Sequence, residues 1–66
     1  MSLLTKREKE IFSLLLKTKT TKEIASILRI SEKTVRNHIS NVIQKLGVTS
    51  RSSAIIEILK SKDLTL

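Results

Sequence analysis

One glycine and no proline in 66 residues restrict this chain more than any other feature does. Hairpins, sandwiches and barrels need many backbone positions with positive φ or with φ fixed by a ring. Too few such positions exist here, so the chain reads as all-α. Shortness adds a second restriction, since a domain near 60 residues buries only about 60% of the surface its unfolded form exposes. With no cysteine there is neither a disulfide framework nor a thiolate metal site, and a lone His38 makes no zinc site without carboxylate help. Stability must come from close helix packing or from a second chain.

Local signals place four helices. Thr5-Lys6-Arg7-Glu8 and Thr20-Thr21-Lys22-Glu23 both fit the capping box, in which Thr accepts from the third backbone N–H onward and Glu reaches back to the Thr N–H. The first box opens a helix with Leu4, Ile11 and Leu15 on one face and Phe12 and Leu14 beside it. That pattern ends in the polar stretch Lys17-Thr18-Lys19-Thr20. The second box opens a helix of about two turns with Ile24, Ala25 and Leu28 as its apolar stripe. Ser31 caps a third helix that runs to Gly47, the residue type best suited to a left-handed stop. Val35, Ile39, Val42 and Leu46 follow one another at four, three and four residues and form its buried stripe. At about 100° per residue, Lys33, Arg36, Asn37, Ser40 and Gln44 face the other way, a side that reads as rich in donors and free of carboxylate.

Ser50 caps a fourth helix, where Ala54, Ile55, Ile56, Ile58 and Leu59 sweep roughly 200°, twice the ~100° that one core contact requires. The surplus points to a homodimer, with Ile55, Ile56 and Leu59 as its interface. Leu64 and Leu66 close the sequence, where fraying is expected unless they dock. No linker, repeat or low-complexity segment interrupts the chain, so residues 1–66 read as a single module.

Thirteen Lys and Arg against six Asp and Glu give a formal charge of +7, a field that attracts polyanions. Between Lys17 and Arg51, eight basic residues are opposed only by Glu23 and Glu32, so most of the excess lies in that segment. Phe12 is the sole aromatic, which argues against single-stranded nucleic acid, where bases stack on aromatic rings. A membrane role fits poorly too. No apolar run approaches the ~20 residues that cross a bilayer, and basic and apolar residues are not gathered on one long amphipathic helix. No signal peptide is visible, and a cytoplasmic location is expected. No carboxylate pair, His-centred triad or phosphate loop can be assembled, so no enzyme and no cofactor are expected. His38 lies beside the buried stripe and reads as a partly buried hydrogen-bonding group.

A short helix, a tight connection at Arg29-Ile30 and a longer helix with a basic outer face form a helix-turn-helix, whose second helix enters the major groove of duplex DNA. Arg36 suits guanine O6 and N7, Asn37 suits adenine N6 and N7, and Ser40 can bond to either base. Lys33 and Thr34 near the helix start suit phosphate. So do Thr20, Thr21 and Lys22, which offer hydroxyls and a positive dipole end at the second helix.

The run Thr21-Lys22-Glu23-Ile24-Ala25, then Ile30-Ser31-Glu32-Lys33-Thr34-Val35-Arg36-Asn37-His38-Ile39 and Gln44-Lys45-Leu46-Gly47-Val48, resembles the LuxR/GerE family of DNA-binding domains, also called LuxR/FixJ. With Thr5-Lys6-Arg7-Glu8 and Ser50-Arg51-Ser52 the resemblance spans roughly residues 3 to 60. It extends to the small stand-alone members that regulate late sporulation genes in the mother cell. It implies a four-helix fold with the third helix in the groove and the fourth at a two-fold dimer axis. Base contacts are implied at Arg36, Asn37 and Ser40, backbone contacts around Thr20, Thr21, Lys22, Thr34 and Lys45, and a structural ion pair between Glu8 and Arg51. Many relatives carry a basic residue where this chain has Ser40. With so few residues ahead of the first helix, no receiver or ligand-binding domain is expected. The resemblance implies promoter DNA and a second copy as partners, and an activator also touches RNA polymerase. The competing reading is an adaptor that meets polymerase or a sigma factor through the apolar fourth helix.

Overall fold

The computed structural model describes residues 3–61, and within them the chain forms four helices and no strand: α1 Lys6–Leu16, α2 Thr21–Leu28, α3 Glu32–Leu46 and α4 Arg51–Ser61. Both capping boxes are present. Thr5 and Thr20 each accept from the backbone N–H of Glu8 and Glu23, and each glutamate accepts in return from the threonine's own N–H. Ser31 accepts from the Thr34 N–H, and the Ser50 hydroxyl accepts from the Ser53 N–H at 3.2 Å. Each expected start is therefore a side chain satisfying an N–H that the helix itself leaves open.

The stops repeat one geometry with three different residues. Gly47 takes φ +67°, Thr18 φ +60° and Arg29 φ +59°. In each case the following N–H bonds back to a carbonyl five residues earlier: Val48 to Ile43, Lys19 to Leu14 and Ile30 to Ala25. This is the Schellman arrangement. Glycine marks only one of the three in the sequence.

α3 is the hub and packs against α1, α2 and α4, while α1 also meets α2. Leu4, Ile11, Phe12, Ile24, Ala25, Val35, Ile39, Val42, Ala54 and Ile58 form the core. Phe12, fully buried, is the bulkiest part of it, and burial of such a side chain is worth about 1.5–3 kcal/mol. Leu15, Leu28 and Leu46 pack on its margin. On α4 Ala54 and Ile58 are buried. Ile55 is half-buried, while Ile56 and Leu59 remain 53% and 54% exposed, so the surplus apolar surface read from the sequence is real. Leu64 and Leu66 lie outside the described residues.

One expected contact is corrected. Glu8 pairs with Lys45, not with Arg51: the Lys45 Nζ lies 2.6 Å from the Glu8 carboxylate, while Arg51 is exposed and joins no ion pair among the described residues. Arg51 opens α4, whereas Lys45 lies in the last turn of α3, which packs directly on α1.

Candidate nucleic-acid interface

Because Val35, Ile39 and Val42 point inward, the opposite side of α3 is forced outward. Lys33, Arg36, Asn37 and Ser40 are all exposed, and Thr34 is half-buried at the edge of that face. Fifteen residues give α3 a length of about 22 Å, with its early turns carrying Arg36, Asn37 and Ser40. The three proposed base readers thus share one exposed surface.

The first turn of α2 lies against the start of α3. The Thr21 hydroxyl donates to Glu32 Oε2 across this junction at 3.4 Å. Of the residues proposed for phosphate, Lys22 and Lys33 are exposed and pair with no carboxylate among the described residues. Thr20 is occupied by its capping box, its N–H lying 2.9 Å from Glu23 Oε1, and Thr34 shares a 2.9 Å contact between its hydroxyl and that of Ser31. Lys45 stands apart from this group. Its ammonium is held by Glu8, and it keeps two further N–H donors for a phosphate.

Two carboxylates at the helix starts stay ionised. The backbone N–H of Thr20, then its side chain, hold Glu23 below its ordinary pKa, with Lys19 adding a smaller charge effect. At Glu8 burial pushes the carboxyl up, but the Lys45 hydrogen bond and charge and the N–H of Thr5 outweigh it and hold the group below the usual value. Beside that pair, Thr5, His38, Asn41, Gln44 and Lys45 line an open cleft between α1 and α3. His38 is half-buried there, beside the core stripe as its position implies.

The outer face of α3 is not free of carboxylate. Arg36 Nη2 lies 3.0 Å from Glu32 Oε2, so the residue expected to read guanine is held by an acid one turn earlier. The four-residue spacing of Glu32 and Arg36 carried this signal, since such pairs meet on a helix surface. Reading the face only by its distance from the apolar stripe passes over it. No group of side chains able to hold a metal ion occurs among the described residues, and no helix among them is long and apolar enough to cross a membrane.

Comparison with known proteins agrees with this geometry. The family described as bacterial regulatory proteins, luxR family, matches residues 2–58. The chain is 67% identical over 64 residues to the spore germination protein GerE of Bacillus subtilis (strain 168), covering 97% of this chain and 86% of that one. It is 41% identical over 61 residues to the transcriptional regulatory protein DegU of Brevibacillus brevis, spanning 92% of this chain but 26% of that protein. The nitrate/nitrite response regulator protein NarP of Escherichia coli (strain K12) is 44% identical over 61 residues, again 92% of this chain and 28% of the relative. A solved structure of the transcription factor GerE superposes with a TM-score of 0.95 at 62% identity, covering 98% of this chain and 97% of that one. The chain belongs to the luxR family of bacterial regulatory proteins.

Proposed function

We propose that this regulator, not an enzyme by family, acts as a homodimer that reads duplex DNA with α3 and controls transcription of late sporulation genes in the cytoplasm of a spore-forming cell. The observation that carries the DNA reading is the shared exposed surface of Arg36, Asn37 and Ser40, flanked by Lys22 and Lys33 at the junction of α2 and α3. Base edges in the major groove meet the three readers. Phosphates meet Lys22, Lys33, the start of α2 with Thr20 and Thr21, the Thr34 hydroxyl and the spare donors of Lys45. The sporulation role rests on the similarity to the spore germination protein GerE. The dimer rests on α4, where Ile56 and Leu59 are left exposed and Ile55 is half-buried beside them.

Site selection from a random duplex pool, followed by titration at several salt concentrations, tests the reading. A defined site should survive competition by random duplex, with log K falling linearly against log salt. Arg36→Ala should cost about 1–3 kcal/mol on that site and relax one base position, whereas Lys22→Ala should weaken all sequences alike. Equal affinity for every duplex overturns it. The exposed Ile56 and Leu59 keep one rival in view, an adaptor to RNA polymerase. That rival requires Arg36→Ala to leave promoter activation intact while Ile56→Asp abolishes it.

A further inference from the structure

We propose that Glu32 is a specificity-determining residue of α3, a positioning group that braces the Arg36 guanidinium and opposes binding to any duplex lacking the base that Arg36 reads. The proposal rests on the DNA reading above. Its observation is an acid placed where a polyanion is expected to dock.

Glu32 Oε2 is a node between the two helices. It accepts from Arg36 Nη2 at 3.0 Å within α3 and from the Thr21 hydroxyl at 3.4 Å at the start of α2. The Arg36 guanidinium is thereby fixed relative to the helix start that is proposed to hold phosphate. Arginine carries five N–H donors. A single bond to Glu32 leaves enough of them for a two-pronged contact with guanine O6 and N7. A guanidinium already held in one place also loses less freedom on binding.

On a random duplex the same carboxylate works against the complex. Its negative charge faces phosphates at every site, and it competes with them for Arg36, whose side chain is 57% exposed and would otherwise swing to the backbone. Only a correctly placed guanine compensates. Lys22 and Lys33 cannot discriminate in this way, because a phosphate is present at every step.

The test compares the wild-type chain with Glu32→Gln on the site selected by the wild-type chain and on random duplex. Glutamine preserves an acceptor for Thr21 and removes the charge. Random-duplex affinity should rise about 3- to 10-fold, as expected when one charged contact is changed, while affinity for the selected site changes less, so the ratio of the two falls. Repeated site selection with Glu32→Gln should relax the base position that Arg36→Ala relaxes, and the double variant should be no more relaxed than Arg36→Ala alone. Adding Lys33→Gln to Glu32→Gln restores the net charge. The ratio should stay low if positioning matters, and a return to the wild-type ratio overturns the proposal in favour of bulk charge. An unchanged ratio with Glu32→Gln overturns it while leaving the DNA reading intact. If wild-type selection yields no preferred site, the DNA reading fails and this inference falls with it.

Discussion

Glu8 is charged, almost fully buried, and bonded to a residue 37 positions away. Its carboxylate accepts from the Thr5 N–H at 2.8 Å and from Lys45 at 2.6 Å, so one side chain closes the start of α1 and ties it to the end of α3. Removing it takes away both the acceptor that caps α1 and the buried half of an ion pair whose Lys45 side chain is 33% exposed, which is costlier than losing a fully exposed pair. Glu8→Ala should therefore lower stability by about 2–4 kcal/mol in urea denaturation. Glu8→Gln should cost less, because its amide oxygen still accepts from Thr5. The linked pH dependence has a fixed sign. A carboxyl whose folded-state pKa lies below the unfolded value of about 4.3 stabilises fully above that value and loses the contribution as pH falls through the lowered one. Thermal unfolding from pH 7 down to pH 3 should show this decline, reduced in Glu8→Gln. The capping half of Glu8's role was legible, because its partner is three residues away. Its ionic partner was not, because Lys45 lies 37 residues away and only the packing of α3 on α1 brings it to Glu8.

At the level of helices, starts were more legible than stops, for a physical reason. A start is announced by an oxygen-bearing side chain that bonds a neighbouring N–H, and Thr5, Thr20, Ser31 and Ser50 all do so. A Schellman stop is built from backbone bonds alone, so the sequence shows it only where a residue tolerant of positive φ has been placed. Gly47 was visible, whereas Thr18 and Arg29 carry no such mark. Opposite effects are expected at the two stops of the helix-turn-helix. Nothing lies within 4 Å of a Cβ added at Gly47, so Gly47→Ala pays only for its left-handed backbone and should lose about 1 kcal/mol. Arg29→Gly relieves the same strain and should gain up to about 1 kcal/mol, less the entropy that glycine adds to the unfolded chain. In a domain of this size 1 kcal/mol shifts Tm by about 4–8 °C, so calorimetry resolves both signs. A loss of stability in Arg29→Gly would mean that its side chain supports the turn by more than the strain it carries.

For the whole molecule, size and surface make the same demand. The described chain measures 28 × 24 × 21 Å, shorter in every direction than the ~34 Å between successive major grooves on one side of a duplex. One copy therefore covers a single half-site, and reading two requires a second copy whose α3 emerges on the same side. The basic excess and the overfilled apolar arc of α4 were legible from residue types, because they are counts along one helix. The pairing of two molecules is not, since it depends on surfaces that no single chain orders. A symmetric contact presents each α4 residue to the partner twice, so Ile56→Asp places two carboxylates at the axis. Within one chain Ile56 is 53% exposed, and the substitution should alter the stability of the isolated fold by no more than about 0.5 kcal/mol. Sedimentation should show the wild type associating and Ile56→Asp remaining monomeric. The wild-type Tm should rise with protein concentration, as it must when association is linked to folding, and that of the variant should not. On DNA the variant should bind an isolated half-site as the wild type does but lose the gain from a second half-site about 10 bp away. A wild type that stays monomeric both free and on a two-half-site duplex would exclude the dimer and leave the α4 surface to another protein.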